Sequence, residues 1–148
     1  MSTMNTLPSE RASVVAVIDP DAATAAAYNS GWISMSTFQS VMAIIQTGTL
    51  GTSATVDGKL EQATDSSGTG GKDIAGKAIT QLVKATNDDD QVIIECRSSE
   101  LDVDGLFNHV RLVMTVGTAT SDASAIVIGF DARHAPPSDL ASVVEIVS

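Results

Sequence analysis

The sequence holds a single cysteine, Cys96, so no intrachain disulfide can form and stability has to come from packing or assembly. Aromatic residues are almost as scarce: one tryptophan, one tyrosine and three phenylalanines in 148 residues. A core without them is filled by Val, Ile, Ala, Ser and Thr, which favours a sheet over a helical bundle and leaves the core thin. Basic residues number 8 against 18 acidic ones, for a net charge of −10. That balance denies the chain the concentrated positive surface that a phosphate backbone needs, so nucleic acid is not an expected partner. No apolar run reaches the length of a membrane span, and the polar stretch Met1 to Arg11 shows no secretory pattern. A membrane is therefore not an expected partner either, and folding is expected in a cytoplasm, with the destination reached by assembly.

Catalytic and metal-binding patterns are missing too. His109 and His134 are the residues best suited to proton transfer, but neither accompanies a nucleophile motif such as Gly-x-Ser-x-Gly. One cysteine and two histidines cannot close a zinc site without carboxylates from elsewhere. Asp88, Asp89 and Asp90 could offer oxygens to calcium, yet consecutive aspartates in a turn more commonly form a solvated loop. Asp102, Asp104 and Gly105 echo the start of a calcium loop, but Val113 stands where a bidentate glutamate should close it. Ser99 and Asp102 have capping-box spacing, which explains the same region as a capped turn. The glycine-rich stretch Asp65 to Gly71 lacks the Gly-Lys-Ser/Thr ending of a phosphate loop and reads as a hairpin turn. The expectation is no catalytic residue, no cofactor, no metal ligand and no enzyme.

What is present is a series of short apolar segments. Val14 to Ile18 ends at the breaker Asp19-Pro20, and the Ala-rich Asp21 to Tyr28 reads as a connector. Strands are expected over Trp32 to Met35, Phe38 to Thr47, Ala54 to Thr64, Gly76 to Ala85, Gln91 to Arg97, His109 to Gly117, Ala123 to Phe130 and Asp139 to Val147. The polar turn Thr118 to Asp122 suits a hairpin between two of them. Short strands at this spacing without a sustained amphipathic helix predict an all-β sandwich, jelly-roll-like, over 31–148, after an arm and connector over 1–30. Alternation points Val56, Leu60, Ile93, Leu112, Met114, Val116, Ile126 and Ile128 inward. The few large side chains able to anchor an interface are Trp32, Phe38, Phe107 and Phe130.

Three segments carry a resemblance: Gly48 to Gln81, with Val56 to Asp65, the glycine-rich turn, Lys72 to Ile74 and Ile79 to Gln81; Glu100 to Gly117; and Ser124 to Asp131. Together they hold 60 of the 148 residues, spread over 48–131. In them the sequence resembles small virion proteins of tailed bacteriophages, of the kind encoded beside the major capsid protein. The resemblance implies a head cement or decoration protein bound to the major capsid protein on the outer shell. It also implies a homo-oligomer, commonly a trimer on threefold positions, that folds in the host cytoplasm. A head-tail connector or tail component would use a similar β architecture, and a small hydrolase is the remaining alternative. The polar arm Met1 to Arg11 is expected to order only against a neighbouring subunit.

Overall fold

The computed structural model describes residues 5–148. A single helical turn, α1 (Pro8–Arg11), precedes ten strands: β1 (Ala12–Ala23), β2 (Ala26–Asn29), β3 (Ile33–Ser34), β4 (Phe38–Thr47), β5 (Thr55–Ala63), β6 (Lys72–Ala78), β7 (Leu82–Val83), β8 (Gln91–Arg97), β9 (His109–Gly117) and β10 (Ser121–Ala132). Pairing runs from the chain ends inward, β1 with β10, β2 with β9, β4 with β8 and β5 with β6. The chain is thus one long hairpin, tipped by the 64–71 loop and rolled up so that β4 also meets β10 and β5 also meets β9. Rolling yields a four-stranded sheet, β1-β10-β4-β8, and a six-stranded sheet, β2-β9-β5-β6 with β3 on β9 and β7 on β5. That strand order is a jelly roll, the class expected from the spacing of the segments.

The inner faces of both sheets share one apolar core. In the six-stranded sheet the expected register holds: Val56, Leu60, Leu112, Met114 and Val116 are buried, and Thr55, Asp57, Lys59 and Glu61 face outward. In the four-stranded sheet it is reversed on two strands. Ala123, Ala125, Val127 and Gly129 of β10 point inward, so Ile126 and Ile128 point out. On β8, Ile94 and Cys96 go in, leaving Ile93 58 % exposed. The cause is volume. Leu60, Leu112, Met114 and Ile45 already fill the space between the sheets, and Phe38 lies over Gly129, where an added Cβ would come within 2.7 Å of the ring. Small side chains fit opposite them.

Five further expectations change. β1 continues through Asp19-Pro20 because it is an edge strand, where a missing N–H is tolerated, and its register shifts between Ile18 and Asp21. The Ala-rich stretch supplies the end of β1 and all of β2, so residues 12–29 belong to the sandwich instead of to an arm and connector. Of the expected arm, residues 1–4 lie outside the described residues, and Pro8–Arg11 forms the helical turn α1. The turn after β9 is a crossover between sheets and not a hairpin, as the rolled topology requires. Asp139 to Val147 forms no strand. It touches the sandwich where Leu140 N–H donates to Val14 O (3.0 Å) and Val14 N–H donates to Asp139 Oδ1 (2.8 Å), and the chain then turns out into solvent.

Candidate interaction surface

One end of the sandwich is stitched shut. Gly48 N–H donates to Asp122 O, Asp122 N–H to Thr49 O, Gly51 N–H to Ser121 Oγ and Leu50 N–H to Asp88 Oδ1. The aspartate cluster is consumed in this stitching. Asp88 also accepts Lys84 Nζ at 2.6 Å, and the two bonds hold its carboxyl below the ordinary carboxylate value, the lysine contributing most. Asp90 accepts Asn87 Nδ2 at 2.9 Å. Among the described residues no group of three His, Cys, Asp or Glu could hold a metal ion.

The opposite end carries the longer loops. Asp102 accepts Lys72 Nζ at 2.6 Å and Gly105 N–H at 3.0 Å, which closes the 102–107 turn and lowers its carboxyl, again chiefly through the lysine. The expected Ser99–Asp102 capping box does not form. Glu100 instead takes Arg97 N–H at 2.8 Å and Lys77 Nζ at 2.9 Å. His109 Nδ1 lies 2.6 Å from Asn108 Oδ1, while His134 is exposed in the segment after β10. Cys96 is buried, and desolvation pushes its thiol up to about 11. No nucleophile, base and orienting group come together around any of these.

The four interface candidates separate. Trp32 is half-buried, with the Arg111 guanidinium 4.6 Å from its ring centroid and Arg111 paired to Glu61 at 2.8 Å. Gly68 closes over its other side with φ +84, and a Cβ there would sit 2.9 Å from Trp32 Nε1, so both the conformation and the contact require glycine. Phe107 is partly buried, with Lys72 Nζ 4.3 Å above its ring, beside the exposed Val103 and Leu106. Phe38 is drawn into the core, 6 % exposed. Phe130 lies half-buried on the outside of the four-stranded sheet.

That outer face is the most distinctive surface. The register sets Val17, Ile126, Ile44 and Ile93 in one row across all four strands, and Val14, Ile128 and Met42 in the next, which ends on Glu95 of β8. Beyond them Phe130, Ser40 and Arg97 complete a third row. This end of the face forms an open groove of about 640 Å³ bounded by Met42, Glu95, Arg97, Phe130 and the Ser98–Glu100 turn. A jelly-roll face left to water is ordinarily polar. Sequence reasoning missed this surface, although SVMAIIQT, QVIIECR and SAIVIGF each break strict alternation with adjacent apolar residues.

No protein-family model matches the chain, and no curated protein sequence matches it. Solved structures of similar fold include the cowpea mosaic virus empty virus-like particle, at 9 % identity and TM-score 0.46, covering 98 % of this chain and 96 % of that one. Infectious bursal disease virus, Gx strain, matches at 11 % identity and TM-score 0.46 over 91 % of this chain and 38 % of that one. A family 35 carbohydrate-binding module from an environmental isolate matches at 17 % identity and TM-score 0.39, covering 84 % and 78 %. All three TM-scores are below 0.5, and the likeness decides nothing about activity.

Proposed function

We propose that this protein is a structural component of a virion, a cement or decoration protein that binds the major capsid protein on the outer shell and stabilises the head. The observation that carries the reading is the apolar outer face of the four-stranded sheet. Contiguous exposed apolar surface on a small acidic domain marks protein-protein contact. The bacteriophage resemblance in Gly48 to Gln81, Glu100 to Gly117 and Ser124 to Asp131 supplies the setting. The loop end, with Val103, Leu106, Phe107 and Trp32, is the part we assign to the capsid, and Phe130 to contacts between copies. Each contact is modest, and repetition over a lattice amplifies them through effective concentration. The test is to heat particles with and without the protein and follow genome release. Earlier release from bare heads is expected; release at the same temperature overturns the cementing role.

A further inference from the structure

The chain leaves two apolar elements uncovered, and they match. One is the outer face of the four-stranded sheet, whose central row is Val17, Ile126, Ile44 and Ile93, with Ile126 45 % exposed. The other is the C-terminal segment 141–148, in which Val144 is 94 % and Val147 86 % exposed, with Ile146 exposed between them. Leu140 fixes the start of this segment at the β1 edge of the same sheet, yet the segment does not fold back over its own face.

Charge points the same way. Five of the eight basic residues, Lys59, Lys72, Lys77, Lys84 and Arg111, are held in ion pairs. Among the described residues, Arg11, Arg97 and Arg133 have no ion pair; Glu100, which accepts the Arg97 backbone N–H, is bonded to Lys77. Arg97 stands on the outward side of β8, in the groove beside Met42 and Phe130. Segment 141–148 carries one charged side chain, Glu145, flanked on both sides by the exposed valines and isoleucine. An acid within an apolar segment therefore meets a cation at the rim of an apolar face. The central row of that face is uncharged, and Glu95, opposite Met42, is the one carboxylate in the rows beside it, so two copies of a chain at −10 can approach there with few carboxylates facing each other.

We infer that the C-terminal segment 141–148 of a second copy lies on the outer face of the four-stranded sheet, with Glu145 of that copy paired to Arg97 and its Val144, Ile146 and Val147 covering Ile44, Ile126 and Ile128. An eight-residue segment spans up to about 26 Å extended. Four strands at about 4.8 Å spacing need only about 15 Å from edge to edge, so the reach is sufficient. Handing the segment to a neighbour joins copies through chain that the isolated sandwich does not use. This deepens the shell-protein reading and rests on it only for the biological setting.

Sedimentation velocity of the full-length chain tests the contact directly. Self-association is expected for the natural chain. Arg97→Glu and Glu145→Arg should each weaken it by about tenfold or more, and the double reversal Arg97→Glu/Glu145→Arg should recover most of the loss, since every segment-face pair regains opposite charges. Circular dichroism confirms that each variant is folded; Val144→Asp, far from any core contact, is the second disrupting variant should Arg97→Glu misfold. A natural chain that stays monomeric, a double reversal that does no better than the single ones, or amides of 141–148 protected from exchange in a monomer each overturn the inference. Shell binding by the same variants separates the two readings. A natural chain that stays monomeric yet stabilises heads sinks the exchange and leaves the cement, whereas a natural chain that exchanges segments yet leaves heads unchanged sinks the cement and leaves the exchange.

Discussion

The two sheets solve the same packing problem in opposite ways. The six-stranded sheet puts its large residues inside, Leu60, Leu112 and Met114, and its charge outside, where Glu61 and Arg111 pair across β5 and β9. The four-stranded sheet puts alanine, valine and glycine of β10 inside and isoleucine outside. Burial of apolar area stabilises a fold only when the partner is in place, so the first sheet draws its stability from within the chain, and the second leaves part of its apolar surface uncovered. A protein meant to work alone gains nothing from the second arrangement and risks aggregation by it.

Alanine substitution should break the comparison most sharply. Leu112→Ala opens a cavity at a fully buried site and should cost about 2–5 kcal/mol in chemical denaturation. Ile126→Ala, also inside its strand but half in water, should cost about 1 kcal/mol or less in a dilute monomer. Its effect should appear instead as weaker self-association. Equal losses of monomer stability would mean that the outer face already packs against something within the chain.

The same contrast explains what could be read in the sequence. β5 alternates cleanly, Val-Asp-Gly-Lys-Leu-Glu, and β9 does so apart from Val113, Val-Arg-Leu-Val-Met-Thr-Val, so a mainly polar face names the inside by elimination. Strand limits at β4, β8 and β9 were legible for the related reason that turn residues bound them. Ser-Ala-Ile-Val-Ile-Gly-Phe has no polar face, so bulk alone points Ile126 and Ile128 inward, whereas volume demands the smaller residues there. Which side of such a strand is buried depends on what the opposite sheet contributes, and that is known only once the sheets are paired. The candidate surface was hidden by the same fact. Of the four aromatic anchors, the sequence could not tell Phe38, which closes over Gly129, from Phe130, one register row away on the other side of the same sheet.

Gly129 tests the small-inside arrangement itself. Gly129→Ala places a Cβ within 2.7 Å of the Phe38 ring, which is buried and cannot swing out, so a loss of about 1–3 kcal/mol is expected. The pair should be coupled. Adding Phe38→Leu to Gly129→Ala should cost less than the sum of the two single changes, because the smaller side chain removes the clash that the alanine creates. Strict additivity by denaturant midpoints would show that the ring and the glycine do not confine each other.

The smallest expected effect concerns pH and separates the stitched end from both sheets. Asp88 is held below its ordinary value of 3.8 by Lys84 and by Leu50 N–H, and Asp65, Asp102 and Glu100 are lowered by their own donors. A carboxylate depressed in the folded chain binds its proton more readily when unfolded. Its contribution is therefore fully present above the unfolded value and is lost as pH falls through the folded one. Thermal stability should accordingly be flat from neutrality to about pH 5 and decline below about pH 4. Asp88→Asn should lower the neutral-pH melting temperature slightly and make the acid decline shallower, because one of the titrating groups is gone. These groups all sit on loops at the sandwich ends or in the turn after β8, and the lysine pairs are half-exposed, so added salt should shrink the Asp88 effect while leaving the Leu112 and Gly129 effects unchanged. An acid decline that Asp88→Asn leaves as steep as in the natural chain would move the pH sensitivity away from this end and onto the other carboxylates.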